Sequence, residues 1–319
     1  MKWLSLLTNE WIKIFSRLRT WFFILIPILI IIGVAVYDKV ATDETAHENW
    51  KQELTANIEA DKKALEDTKK EDGDEFFIEM LESNIKQNEY AIENNISPYE
   101  KTTWQYMKDM APISFLIGLF VIVVAGDIVS SEFSKGTIKM LLIRPYSRWK
   151  ILLSKLIATL GFAFAMWLVV IVSTWLVGGL AYGFGGIDQT YIVQSEGGQI
   201  KEKLIVEYVF ANIGLEFIEL TVLVALSFMI STLFMSNSVA IGVAMFTMFA
   251  GDLVIMLLQD KEWIIYTLFA NMDLSVLIDG QNQFIQELTL PFSITVLAVY
   301  TMVMLAITFT VFQKRDVKA

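Results

Sequence analysis

Six stretches of this sequence are apolar for long enough to cross a lipid bilayer, and no other feature constrains the fold so tightly. They run over 21–37, 111–129, 151–180, 207–234, 239–258 and 290–312. A hydrocarbon core about 30 Å thick takes about 20 residues of helix. Backbone groups in lipid must be satisfied within the segment, so each stretch predicts a transmembrane helix. The expected fold is an all-α integral membrane protein with six spans. Pro27 is expected to kink the first span, because proline removes one helical hydrogen bond.

Composition agrees: 55% of the 319 residues are hydrophobic, too many for an ordinary soluble chain. There is no cysteine, which excludes a disulfide framework and a thiolate metal site. The single histidine, His47, lies among acidic residues and reads as a solvated surface group. No metal or cofactor is expected on this chain.

Residues 1–20 precede the first span. Trp3, Leu4, Leu7, Trp11, Ile14, Phe15 and Leu18 recur at spacings of three and four, while Lys2, Lys13, Arg17 and Arg19 fall largely on the other side. This predicts an amphipathic helix lying in the membrane surface. The same stripe would also suit a helix packed against a partner. The apolar run that follows is longer than a usual signal-peptide core and lacks a small-residue cleavage site, so a cleaved leader is not expected.

Lysine and arginine set the orientation. Segments 1–20, 130–155 and 313–319 carry 13 of them, against 3 in the two short loops 181–206 and 259–289. Both termini are therefore expected in the cytoplasm. The long segment 38–110 holds 19 acidic and 9 basic residues, a balance equal to the whole chain's net charge of −10. Trp50, Leu54, Ile58 and Leu65, then Phe77, Leu81, Ile85 and Ile92, keep helical spacing around a turn at 71–74. Two antiparallel helices projecting outside are expected there, with a charge-rich disordered loop as the alternative. Segment 181–206 reads as an outer loop. Segment 259–289 is too apolar for a free loop and too interrupted for a span, which suits an interfacial or re-entrant piece.

Enzyme motifs are missing: no zinc-protease helix motif and no phosphate loop. The SEGGQ at 195–199 looks like an ATP-binding-cassette signature, but it lies in an expected outer loop, where a glycine-bearing turn explains it. An ATPase, if one is used, is then another chain.

The informative loop is SEFSKGTIKMLLIRPYSRWK, 131–150, where five Lys and Arg alternate with apolar residues. A short helix is expected from Glu132 to Leu142, stopped by Pro145. A loop that only set topology would not need this arrangement. The pattern E-x-x-x-G-T-x-x-x-L-L-x-x-P-x-S-R-x-x-x-x-x-x-K, met by Glu132, Gly136, Thr137, Leu141, Leu142, Pro145, Ser147, Arg148 and Lys155, resembles the first cytoplasmic loop of permease subunits of type-2 ATP-binding cassette transporters. The order of amphipathic helix, six spans, loop and broken segment before span six is similar as well. The long acidic segment after span one departs from many members of that family.

The resemblance implies a coupling helix that docks in a groove of a separate ATP-binding cassette ATPase subunit, which uses the ATP. Glu132, Gly136, Thr137, Ile138, Leu141, Leu142, Pro145 and Arg148 would form the coupling site, with Lys139 and Arg144 at the rim. It further implies a bacterial cell membrane, a second permease copy or paralogue, and an export function for a drug, peptide, ion or lipid. Nucleic acid is not expected as a partner. Glu216, Glu219 and Asp252 are the acids noted for a translocation path, although Glu216 and Glu219 would sit at headgroup level if span four starts late. The rival reading is a non-transporting sensor or immunity protein that binds a peptide through segment 38–110. An intramembrane enzyme is disfavoured by the lack of a catalytic constellation.

Overall fold

The computed structural model describes residues 2–41, 49–70, 75–137, 146–194, 200–258, 261–278 and 288–315. Helix α1 (Lys2–Phe15) leads into α2 (Leu18–Ala41); α3 (Trp50–Lys70), α4 (Glu75–Glu93) and the short α5 (Thr103–Asp109) follow. Then come α6 (Ile113–Ser134) and α7 (Arg148–Tyr182), strands β1 (Thr190–Gln194) and β2 (Ile200–Leu204), and α8 (Ile205–Phe234), α9 (Asn237–Leu258) and α10 (Leu290–Lys314).

Five of these helices, α2, α6, α7, α8 and α10, are long and apolar enough to cross a membrane. The chain is therefore a multi-span, helical membrane protein. Helix α9 contributes a shorter apolar stretch, Asn237–Gly251. The ends lie within a few residues of the expected ones, except that α2 and α6 run on by four or five residues beyond 37 and 129. Pro27 is buried within the continuous α2.

The centre of the bundle is the α6–α8 contact. Each of these helices is 61% buried over its apolar window, against 22% for α2 and 17% for α10, so the latter two form the lipid-facing flanks. Hydrophobic burial cannot drive helices together in lipid, and serine hydroxyls supply direction instead. Ser227 Oγ donates to Ile122 O at 3.0 Å. Ser231 Oγ donates to Gly126 O at 2.7 Å and accepts from the Ser130 N–H at 3.1 Å.

Helix α1 is not a free surface helix. Its buried line is Leu6, Glu10 and Ile14, turned from the expected stripe, and Leu4 and Ile12 stay exposed. Trp11 fixes this rotation by lying on Gly161 of α7. A Cβ at 161 would come within 2.5 Å of the indole, so only glycine leaves room for the ring.

At the opposite end of the bundle, α3 and α4 pack antiparallel through buried Leu54, Ile58, Leu81 and Ile85. Lys62–Glu89 at 2.6 Å and Lys69–Glu82 at 2.7 Å bridge them. Two antiparallel helices are thus present over 50–70 and 75–93; the turn at 71–74 and His47 lie outside the described residues. The segment 181–206, expected as a loop, contains the hairpin β1–β2. It pairs Tyr191 with Lys203 in antiparallel register, and Tyr90 Oη donates to Glu202 at 3.0 Å, tying it to α4. The glycine turn at 195–199 is outside the described residues.

Residues 261–278 form three short 3-10 turns, Glu262–Tyr266, Phe269–Asn271 and Ser275–Leu277, rather than one helix. Polar side chains break the run. The Asn271 amide donates to Ile265 O and Thr267 O, and Asp273 accepts the Ser275 N–H.

Candidate functional site

The charged side chains that are buried, Glu10, Asp127, Glu132 and Lys155, gather at the end of the bundle that carries α1. Lys155, two turns into α7, is fully buried. Its ammonium donates to Glu10 Oε2 at 2.9 Å and Ile128 O at 3.3 Å, and pairs with Glu132 Oε1 at 2.7 Å. Lys13 reaches the same two carboxylates, at 2.9 Å to Glu10 and 2.7 Å to Glu132. Two cations and two anions from α1, α6 and α7 thus close a neutral quartet. Taking such charges out of water costs several kcal/mol each, and only full pairing offsets it.

The protonation states follow from this balance. Burial pushes the Glu10 carboxyl up, but Lys155 and Lys13 outweigh it and hold the group below its ordinary value. Burial pulls the Lys13 ammonium down, and Glu132 and Glu10 reverse that, holding it above its ordinary value.

Beside the quartet, Arg17 and Arg19 both pair with Asp127 Oδ2, and Asn237 Nδ2 donates to Asp127 Oδ1 at 3.0 Å. Between α1, the start of α2 and the end of α6 lies an open cavity of about 440 Å³, lined by all these groups except Lys155 and Asn237, with Lys135 and Thr137 at its rim. Helix ends at the same level are stitched by arginine. Arg148 donates to Gln313 O and Arg315 O of the α10 terminus, and Arg315 donates to Thr232 O and Leu233 O of the α8 terminus. Both satisfy carbonyls that a helix end leaves open.

The coupling residues expected from the sequence separate into groups. Glu132 does not open a new helix: it lies in the last turn of α6, buried, with its carboxylate in the quartet. The reason is the pair of lysines, which gives the side chain a better partner inside than any on the surface. Arg148 is engaged by the end of α10. Gly136 ends α6 in a left-handed conformation, φ 69°, the usual way to stop a helix. Thr137 is exposed beside it, with its hydroxyl donating to Glu132 O at 3.4 Å. Ile138, Lys139, Leu141, Leu142, Arg144 and Pro145 lie outside the described residues.

Glu216 and Glu219 are in the middle of α8, and Glu219 is about 20 Å along it from Phe234. They have separate partners: Asn212 Nδ2 donates to Glu216 at 2.8 Å, and Glu219 accepts the Leu274 N–H at 2.7 Å. Glu219 therefore anchors the 261–278 turns. Asp252 is on α9, with its side chain outside the described residues. Among the described residues, no cluster of His, Asp or Glu is placed to hold a metal ion.

Residues 75–318 match the family described as "Protein of unknown function (DUF2705)". The chain belongs to the DUF2705 family. It is 35% identical to "Uncharacterized protein YhcI" of Bacillus subtilis (strain 168), over 98% of this chain and 99% of that protein. It is 28% identical over 246 residues to "Uncharacterized membrane protein YdbK" of the same organism, over 76% of this chain and 92% of that protein. The DUF2705 match includes Asp127, Glu132 and Lys155 but not α1, whereas the similarity to YhcI extends over nearly the whole chain.

Proposed function

We propose that this chain is the membrane-spanning subunit of an ATP-driven exporter, worked by separate ATP-binding subunits that grip the loop between α6 and α7. In this reading α9 completes six spans, both termini and the loop face the cytoplasm of a bacterial cell, and α3 and α4 stand outside. A second copy or a paralogue would form the other half of the pathway. The chain has no ATPase site of its own; ATP is used by the partner.

One observation carries the reading. Lys155 joins Glu132 and Glu10 in a buried contact, which ties both flanks of the loop to helix α1. A loop fastened in this way can transmit a displacement to the spans. A purely topological loop gains nothing from buried charges at its base, which cost more than surface ones.

The test is affinity purification of the tagged chain from its native membrane in mild detergent. A soluble ATPase should accompany it. Gly136→Pro, which removes the positive φ that ends α6, and Leu141→Asp should each abolish that association and export, with the membrane level of the chain unchanged. Normal ATPase recovery and normal export in both variants would rule out the loop as the handle. A wild-type chain that brings no ATPase but retains a peptide would favour the sensor reading.

A further inference from the structure

The cavity under α1 holds more positive charge than its own acids balance. In the quartet two lysines meet two glutamates. Beside it, Arg17 and Arg19 share one oxygen of one carboxylate, Asp127 Oδ2, whose other oxygen is occupied by Asn237. One guanidinium charge is left over. Arg19 Nε is enclosed and has no hydrogen-bond partner, and the exposed Lys135 adds another cation at the rim. About a third of each arginine side chain is still accessible, so a ligand can reach both.

We infer that this cavity binds the phosphate of an anionic glycerophospholipid from the adjoining leaflet. Guanidinium forks match a phosphate bidentately, and a phosphate oxygen placed between the arginines supplies the missing anion. The surroundings select a lipid over free phosphate. A volume of about 440 Å³ is far larger than an inorganic phosphate needs. Within one helical turn of Arg19 the apolar flank opens, with Leu18 72% exposed, Trp21 52% and Phe22 53%, a surface on which acyl chains can lie. Trp21, its indole N–H donating to Phe15 O at 3.0 Å, sits where tryptophans mark the headgroup level. The cavity is at a bundle end, so the inference holds whichever leaflet faces it and does not depend on the exporter reading.

Native mass spectrometry of the full chain in detergent, offered equal dioleoylphosphatidylglycerol and dioleoylphosphatidylcholine, tests this. The wild type should retain one phosphatidylglycerol with a preference of about tenfold, the scale of one or two surface cations acting on an anionic lipid. Arg17→Gln with Arg19→Gln should cut the preference to about threefold or less. Lys150→Gln, at the same end but outside the cavity, should leave the preference unchanged. Should the double variant fail to fold, Lys135→Gln at the exposed rim should still lower the preference about threefold. An excess of inorganic phosphate should not displace the lipid. Equal retention of both lipids by the wild type, an unchanged preference in the arginine variant or, failing that, in Lys135→Gln, or ready displacement by inorganic phosphate would each overturn the inference.

Discussion

Lys155–Glu132 beneath α1 and Lys69–Glu82 on the α3–α4 pair are the same bond on paper, each 2.7 Å long. Their surroundings differ completely. The first pair is 0% and 8% exposed, the second 50% and 41%. Water screens the outer pair and competes for both partners, which leaves it worth about 0–1 kcal/mol. The inner pair is buried, so removing one partner leaves the other without its counter-charge in a place that solvates it poorly. Contact distance therefore says little about what an ion pair does here. The inner groups fix which face α1 presents to the bundle, while the outer ones add little to helices already joined by Leu54, Ile58, Leu81 and Ile85.

The largest test of this contrast is Lys155→Met. It leaves Glu10 and Glu132 with Lys13 alone and should destabilise the bundle by about 3–5 kcal/mol, read as loss of monodisperse protein on heating in detergent. Adding Glu10→Gln restores the charge balance and should recover part of the loss; simple additivity of the two changes would break the contrast.

Acid comes next. The carboxyls of Glu10 and Glu82 are both held below their ordinary value of 4.5; in Glu82 the cause is the hydrogen bond and charge of Lys69. Groups lowered on folding contribute fully above the ordinary value and lose that contribution as pH falls through the folded one. Lys13, raised above 10.5, contributes fully below that value and loses it only as pH climbs through the higher folded one. The melting temperature of the bundle should therefore stay level across neutral pH and drop below about 4.5, with protection of the α3–α4 amides in hydrogen exchange changing much less. An equal acid response of the two regions would remove the distinction.

The smallest effect belongs to Lys69→Ala. It should cost under about 1 kcal/mol and less in high salt, measured by hydrogen exchange along α3. A larger, salt-resistant loss would mean that the outer pair is shielded after all.

Much of the architecture could be read from the chain because apolar runs in lipid have one solution. The helices at 50–70 and 75–93 were equally readable, from Leu54, Ile58, Leu81 and Ile85 at regular spacing. The site was not. Glu10 interrupts the amphipathic stripe and looks like a solvent-facing residue; its partner Lys155 is 145 positions away, beyond the reach of any periodicity. The loop pattern contains Glu132 and Lys155, but the pattern does not say that the two meet each other. Asp127 carries a usable signal in the sequence: an acid within an apolar run is functional or paired by default. The strand Thr190–Gln194 was also readable, since Tyr191 and Val193 alternate inward, but five residues between glycine-rich stretches pass easily for a loop.

The seating of Trp11 on Gly161 and of Glu10 on Lys155 has a consequence for biosynthesis. Helix α1 leaves the ribosome well before α7, and the surfaces it needs are made about 145 residues later, a delay of about 7–30 s at ordinary translation speed. Throughout that interval Glu10 must stay hydrated, and the helix has to wait at the membrane until α7 has been threaded in. A segment made early must wait for one made late before it can reach its place.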